Sequence, residues 1–220
     1  VSIMLYTVGE EIFNSVTHGI GAIFSIVALC LMVTFSALNG GTAIDIISFS
    51  IYGASLIILY TMSTLYHAIT NEKAKKVLRI IDHSSVYLLI AGSYTPFALS
   101  ILKNQDEKRI IILIFVWLLA IIGTVLYSIF KQKIKIFNIV SYIIMGWAVS
   151  LLLPELNNVF TTLNIKCCLY LLIAGGITYT AGIIFYAIKK VKYFHSIWHL
   201  FVLSGSILHF IAVMIYIFNF

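Results

Sequence analysis

Two histidines four residues apart, His195 and His199, open a long apolar stretch as FHSIWHLF. Residues at i and i+4 share one helix face, so both imidazoles can reach a single ion. An ionisable side chain inside lipid is costly and marks a functional position by default. The same logic selects His67 in STLYHA and Asp82 in RIIDHSS, while Ser63 has the same four-residue spacing to His67. Three imidazoles with an open fourth position are a well-known setting for catalytic zinc, and iron or manganese is compatible with the same residues. Such an ion brings the pKa of its water to about 7. It also offsets the cost of keeping a neighbouring carboxylate such as Asp82 charged.

Each piece also has a plainer reading. The paired histidines can be interfacial imidazoles facing headgroups, and Ser63 can bond its own helix backbone. Asp82 can pair with Arg79, three residues before it. What favours a metal site is that all of them come together at one depth, which depends on the elements that carry them.

Of the 220 residues, 61% are hydrophobic and only 10% are charged, and the mean hydropathy is +1.06. Soluble domains carry roughly 25% charged residues, so the composition excludes one. Apolar runs near the ~20 residues that cross a bilayer fall at Phe13–Leu38, Ile44–Ala68, Ile80–Leu102, Ile110–Phe130, Ile136–Leu153, Cys167–Ile188 and Ile197–Phe220. Polar breaks bound them, including NEKAKK, KNQDEKR and PELNN. Backbone groups in lipid must be satisfied within a span, so the expectation is an all-α bundle of seven transmembrane helices forming one domain over 1–220. Cys30, Cys167 and Cys168 show no CxxC or CxxH spacing and indicate neither a disulfide framework nor a thiolate site. The start of the chain carries Glu10 and Glu11 and no basic region, so no cleavable signal peptide is expected.

With the N-terminus cytoplasmic, ten of the fourteen lysines and arginines fall on the cytoplasmic side. That bias predicts an outside C-terminus. The net charge of +6 is therefore read as membrane topology rather than nucleic-acid affinity. Under this topology His67 closes the second span, Asp82 opens the third, and His195 and His199 open the seventh, all at the cytoplasmic face.

The first span adds Glu11, Asn14 and His18, spaced three and four apart on one stripe. These can buttress the metal site or form a polar seam. His83 lies about 100° of helix from the Asp82 face and is read as a neighbour or interfacial group. His209, ten residues beyond His199, is read as a partner for another helix. Gly19, Gly21, Gly175 and Gly176 are expected at close helix contacts. Pro96 is expected to kink the third span, with Thr95 satisfying a freed backbone group.

EEIFNSVTHGIG, STLYHA, DHSSVYLLIAGSYTPF and FHSIWHLFVLSGSILHF together resemble the successive motifs of the hemolysin III family. That family is the bacterial branch of the progestin and adipoQ receptor superfamily, which includes the adiponectin receptors. The resemblance runs from the first span to the seventh. It implies one zinc held by His67, His195 and His199, with Asp82 and Ser63 on the zinc water, in a multi-pass protein of the bacterial cytoplasmic membrane. The long N-terminal region of the animal receptors has no counterpart, so partner binding through it is not expected. A wider grouping with alkaline ceramidases implies metal-dependent hydrolysis of a lipid amide. The family name implies a pore, and other bacterial members imply a link to membrane-lipid homeostasis.

Three readings follow. The first is a zinc-dependent membrane hydrolase of a lipid amide or ester, with Asp82 as general base and Ser63 bonding the water or the developing oxyanion. The second is a membrane sensor in which zinc staples helices together, with a membrane lipid as ligand. The third is a pore-forming hemolysin or channel. It has little support in the sequence, because the ionisable groups stop in one leaflet.

Overall fold

The computed structural model describes residues 6–105, 107–188 and 190–219, without the side chain of Gln132. The far end of the expected seventh span, Phe220, and residues 1–5 lie outside these. Among the described residues eight α-helices run in order: α1 (Val8–Leu38), α2 (Ala43–Ala68), α3 (Glu72–Thr95), α4 (Lys108–Phe130), α5 (Lys135–Trp147), α6 (Leu153–Thr162), α7 (Cys167–Ala187) and α8 (Phe194–Ile217). A π-helical turn, Pro96–Ile101, extends α3, and a 3-10 segment, Ala148–Leu152, joins α5 to α6. Counted as continuous rods, seven helices among the described residues are long and apolar enough to cross a membrane.

Spans adjacent in sequence pack against one another, and α8 returns to α1. The third span touches α2, α4 and α5 and is the most deeply enclosed. Polarity in the first span is inverted relative to a soluble helix. The buried residues of α1 include Glu10, Asn14, His18, Gly21, Ser25 and Ser36, while Ile12, Val16, Ile20 and Ile23 are exposed. Lipid tails are as apolar as leucine, so no hydrophobic drive buries the large side chains. Small and polar groups take the packed face instead.

Local capping sets several helix ends differently from the hydrophobic runs. Thr7 and Glu10 form a reciprocal capping box, in which Thr7 N donates to Glu10 Oε2 at 2.8 Å, so α1 begins at Val8 rather than Phe13. Asn71 Oδ1 accepts from Lys73 N and Ala74 N at 3.1 Å, starting α3 at Glu72. Asp82 therefore lies three turns inside its helix rather than at its opening. The seventh span starts at Phe194 rather than Ile197, which brings His195 into its first turn.

PELNN does not end the fifth span. Pro154 takes the first turn of α6, where its missing N–H is harmless. Glu155 pairs with Lys108 at 3.1 Å, and the span continues to Thr162. The irregular turn in that span is held by Tyr94. Its hydroxyl donates to Met145 O at 2.5 Å or Gly146 O at 2.9 Å and accepts from Val149 N at 2.6 Å.

Pro96 does disturb the third span, by a switch to π-helical bonding. Thr95 plays a different part from the one expected. Its hydroxyl donates to Ala91 O at 3.1 Å, whereas the carbonyl that a proline at 96 leaves unpaired is that of Gly92. Of the four glycines, Gly21 abuts the Tyr60 ring and Gly175 the His209 ring. Gly19 has only ordinary contacts, and a side chain at Gly176 would meet nothing within 4 Å.

The end of the bundle remote from the histidines is clasped by polar bonds. Fully buried Asp45 accepts from Ser100 Oγ at 2.6 Å and Lys103 Nζ at 3.0 Å. Tyr216 OH donates to Ser100 O at 3.2 Å, and Asn39 Nδ2 donates to Ile217 O at 2.9 Å. These bonds tie the ends of α1, α2, the π turn and α8 together.

Candidate metal centre

His67 is the penultimate residue of α2, and His195 and His199 occupy the first two turns of α8. The start of α8 is fixed from α1. Tyr193, in the left-handed region at φ 63°, donates its N–H to Glu10 Oε1 at 2.7 Å. The capping box that starts α1 thus also sets where the paired histidines begin. Asn14 reinforces this, accepting from Ser196 Oγ at 2.6 Å.

One ligand atom from each of His67, His195 and His199 falls within 4.8 Å of the other two. His195 Nε2 and His199 Nε2 are 3.1 Å apart. Two nitrogens bound to one tetrahedral ion at about 2.0–2.1 Å would stand about 3.3 Å apart. His67 Nδ1 lies 2.5 Å from Glu11 Oε2, the geometry of an N–H donated to a carboxylate. That bond leaves Nε2 with its lone pair, and Nε2 is buried without a hydrogen-bond partner. Buried polar nitrogens are normally paired, so an unpartnered imidazole lone pair beside two others fits a cation. A carboxylate on the far nitrogen of a ligating histidine is the usual second-layer arrangement.

The first-span residues fall into place around these histidines. Glu11 holds His67 and also forms an ion pair with Lys75 at 2.8 Å. The His18 ring stacks on that of His199, with centroids 3.5 Å apart and planes at 11°, and neither of its nitrogens has a partner. Tyr6 covers the other side, stacked on His195 at 4.9 Å.

Asp82 is not in the ligand-distance group, but it lines the same cavity as His18, Ser63, His195 and His199. Its carboxylate faces His83 Nδ1 at 3.2 Å, and no ion pair joins it to Arg79. Ser63 Oγ is buried and unpartnered. His83 is not interfacial: it is buried, stacked on Tyr127 at 5.3 Å, and its carbonyl accepts from Tyr142 OH at 3.1 Å. His209 Nε2 lies 3.1 Å from Leu172 O on α7, as a helix-bridging histidine should. It sits about 15 Å along α8 from His199.

The cavity runs from the histidines to Phe97, Leu172 and His209, and it encloses about 1230 Å³ with its open mouth included. Its walls are mainly apolar. Between α5 and α7, Gly146 and Gly176 leave space, and Trp147 Nε1 donates to Thr180 Oγ1 at 3.0 Å across the gap.

Sequence reading missed Tyr6, Glu10 and Ser196. The Thr7-x-x-Glu10 pattern was a visible signal for a cap. Nothing in the sequence showed that Glu10 would also bind the turn before α8.

Fold and site define a multi-pass α-helical membrane protein with a three-histidine cluster at one end, His67 and His199 buried and His195 half-buried. A family model described as Haemolysin-III related matches residues 6–210, and the chain belongs to that family. It is 43% identical over 212 residues to the Hemolysin-3 homolog of Bacillus subtilis, covering 96% of each chain. Hemolysin-3 of Bacillus cereus is 41% identical over 214 residues, covering 97% of this chain and 94% of its own. The human Monocyte to macrophage differentiation factor is 28% identical over 177 residues, covering 77% and 70%, which connects the chain to the wider progestin and adipoQ receptor superfamily.

Proposed function

We propose that this protein is a zinc-dependent membrane hydrolase that cleaves a lipid amide or ester and serves membrane-lipid homeostasis. The supporting observation is that His67, with its unpartnered Nε2, lies within ligand distance of His195 and His199, and those two line one end of an apolar cavity together with the unpartnered Ser63 Oγ and the Asp82 carboxylate. His67, His195 and His199 would hold the ion. Zinc there would supply Lewis acidity, polarising a carbonyl and acidifying water. Asp82, within the same cavity yet outside the ligand group, takes the proton from the attacking water and returns it to the leaving group. Ser63 donates a hydrogen bond to the developing oxyanion. Glu11 fixes the tautomer and orientation of His67. The apolar walls hold an acyl chain that enters between α5 and α7, past Gly146 and Gly176.

In the same reading the N-terminus faces the cytoplasm, which places the histidines near that surface of a bacterial cytoplasmic membrane. Zinc fits the donors, and iron or manganese fits the same set. The test is to purify the protein with its metal and assay a panel of lipid amides and esters. Turnover that disappears in His199→Ala together with the metal supports the hydrolase. One bound zinc without turnover across the panel favours a sensor stapled by zinc. Single-channel currents from pure protein in planar bilayers would favour a pore.

A further inference from the structure

A separate groove lies on the outside of the histidine end, between the start of α1, the end of α2 and the first turns of α3. Its wall is apolar. Val8, Ile12 and Val16 project from one stripe of α1 and are 65%, 59% and 55% exposed. Its rim is cationic, formed by Lys75, Lys76 and Arg79 from adjacent turns of α3. Lys76 is exposed, and Arg79 is half-buried with its Nε buried and lacking a hydrogen-bond partner. Two acids share the lining. Glu11 is already engaged by His67 and Lys75, and Glu72 is in the first turn of α3.

Arg79 and exposed Lys76 place a guanidinium and an ammonium along one rim, a pairing that calls for an oxygen anion, and guanidinium groups match phosphate oxygens in geometry. The apolar trough below the rim distinguishes the occupant. Free phosphate has no use for it, whereas a phospholipid fills it with an acyl chain. We infer that this groove binds one anionic phospholipid, its phosphate on Arg79 and Lys76 and a chain along Val8, Ile12 and Val16. Lys75 reaches from the groove to Glu11, whose other oxygen holds His67, and His67 itself lines the groove, so the groove borders the candidate metal centre. The inference rests on the membrane fold and is independent of any hydrolytic activity.

The experiment is native mass spectrometry of the detergent-solubilised protein offered phosphatidylglycerol and phosphatidylcholine in equal amounts. Wild type should retain one phosphatidylglycerol in preference. Juxtamembrane cations each contribute measurably to anionic-lipid binding, so Lys76→Gln with Arg79→Gln should reduce the preference about 10-fold or more. Lys190→Gln with Lys192→Gln removes the same charge from the turn before α8 and should leave the preference intact. Arg79→Lys keeps the charge and should still weaken retention, which guards against misfolding of the double variant. Absence of preference in wild type, or equal loss in both double variants, would overturn the site in favour of diffuse surface charge. Displacement of the lipid by excess inorganic phosphate would reduce it to an adventitious anion site.

Discussion

Glu11 faces two cations at once, with His67 on one oxygen and Lys75 on the other. Removing its charge while keeping its shape tests whether that carboxylate raises the basicity of a metal ligand. Second-layer changes cost about 10–100-fold in metal affinity, so Glu11→Gln should weaken zinc binding by that amount in a competition titration with a chelator. Asp82 should behave oppositely. Asp82→Asn is expected to keep near-stoichiometric zinc at saturation while hydrolysis falls by roughly 100-fold or more, whereas His67→Ala loses both. Equal metal loss in the two variants would make Asp82 a ligand, and full activity in metal-loaded Asp82→Asn would remove it from the mechanism. His83→Ala and His209→Ala should retain the metal by elemental analysis. At this scale the sequence was informative where chemistry is rare: imidazoles in apolar runs stand out. Tyr6 did not stand out, because a tyrosine near a membrane surface is ordinary and only the tertiary fold lays it over His195.

The interiors of the helices were legible and several of their ends were not, for one physical reason. Hydropathy reports where lipid begins, whereas a helix ends where its last backbone groups find caps. Asn71 starts α3 eight residues before the apolar run, and Pro154 begins a helix where a proline among polar residues suggested a loop. The fifth span also contains a break that composition does not reveal. It depends on Tyr94, whose hydroxyl serves Met145, Gly146 and Val149. Tyr94→Phe leaves those buried groups short of a partner, at a cost of about 1–3 kcal/mol. A lower unfolding temperature in detergent, with zinc content unchanged, is the expected result. No change in unfolding temperature would mean that water replaces the hydroxyl.

For the whole molecule, the charge asymmetry predicts that a C-terminal reporter is active only outside the cytoplasm. A fusion active only inside would invert the bundle and move the histidines to the other leaflet. That the second, third and seventh spans bring these ends to one face was readable from the alternation of spans, because four spans separate the start of the third from the start of the seventh. The closure of α8 onto α1 was not, since it depends on pairings such as Glu10 with the Tyr193 backbone that carry no hydrophobic signature.

The bonds joining Asp45, Ser100, Lys103, Tyr216 and Asn39 give the bundle one end that needs no ion to stay closed. Slow motions should then be unevenly distributed along its length. Stripping the metal with a chelator should accelerate amide hydrogen exchange in residues 63–68 and 194–200 and leave residues 42–48 and 97–103 near their metal-loaded rates. The protein would breathe from one side only, admitting or releasing its contents at the histidine end while the opposite seal holds the membrane barrier. Equal acceleration at both ends would show that the clasp draws its rigidity from the metal after all.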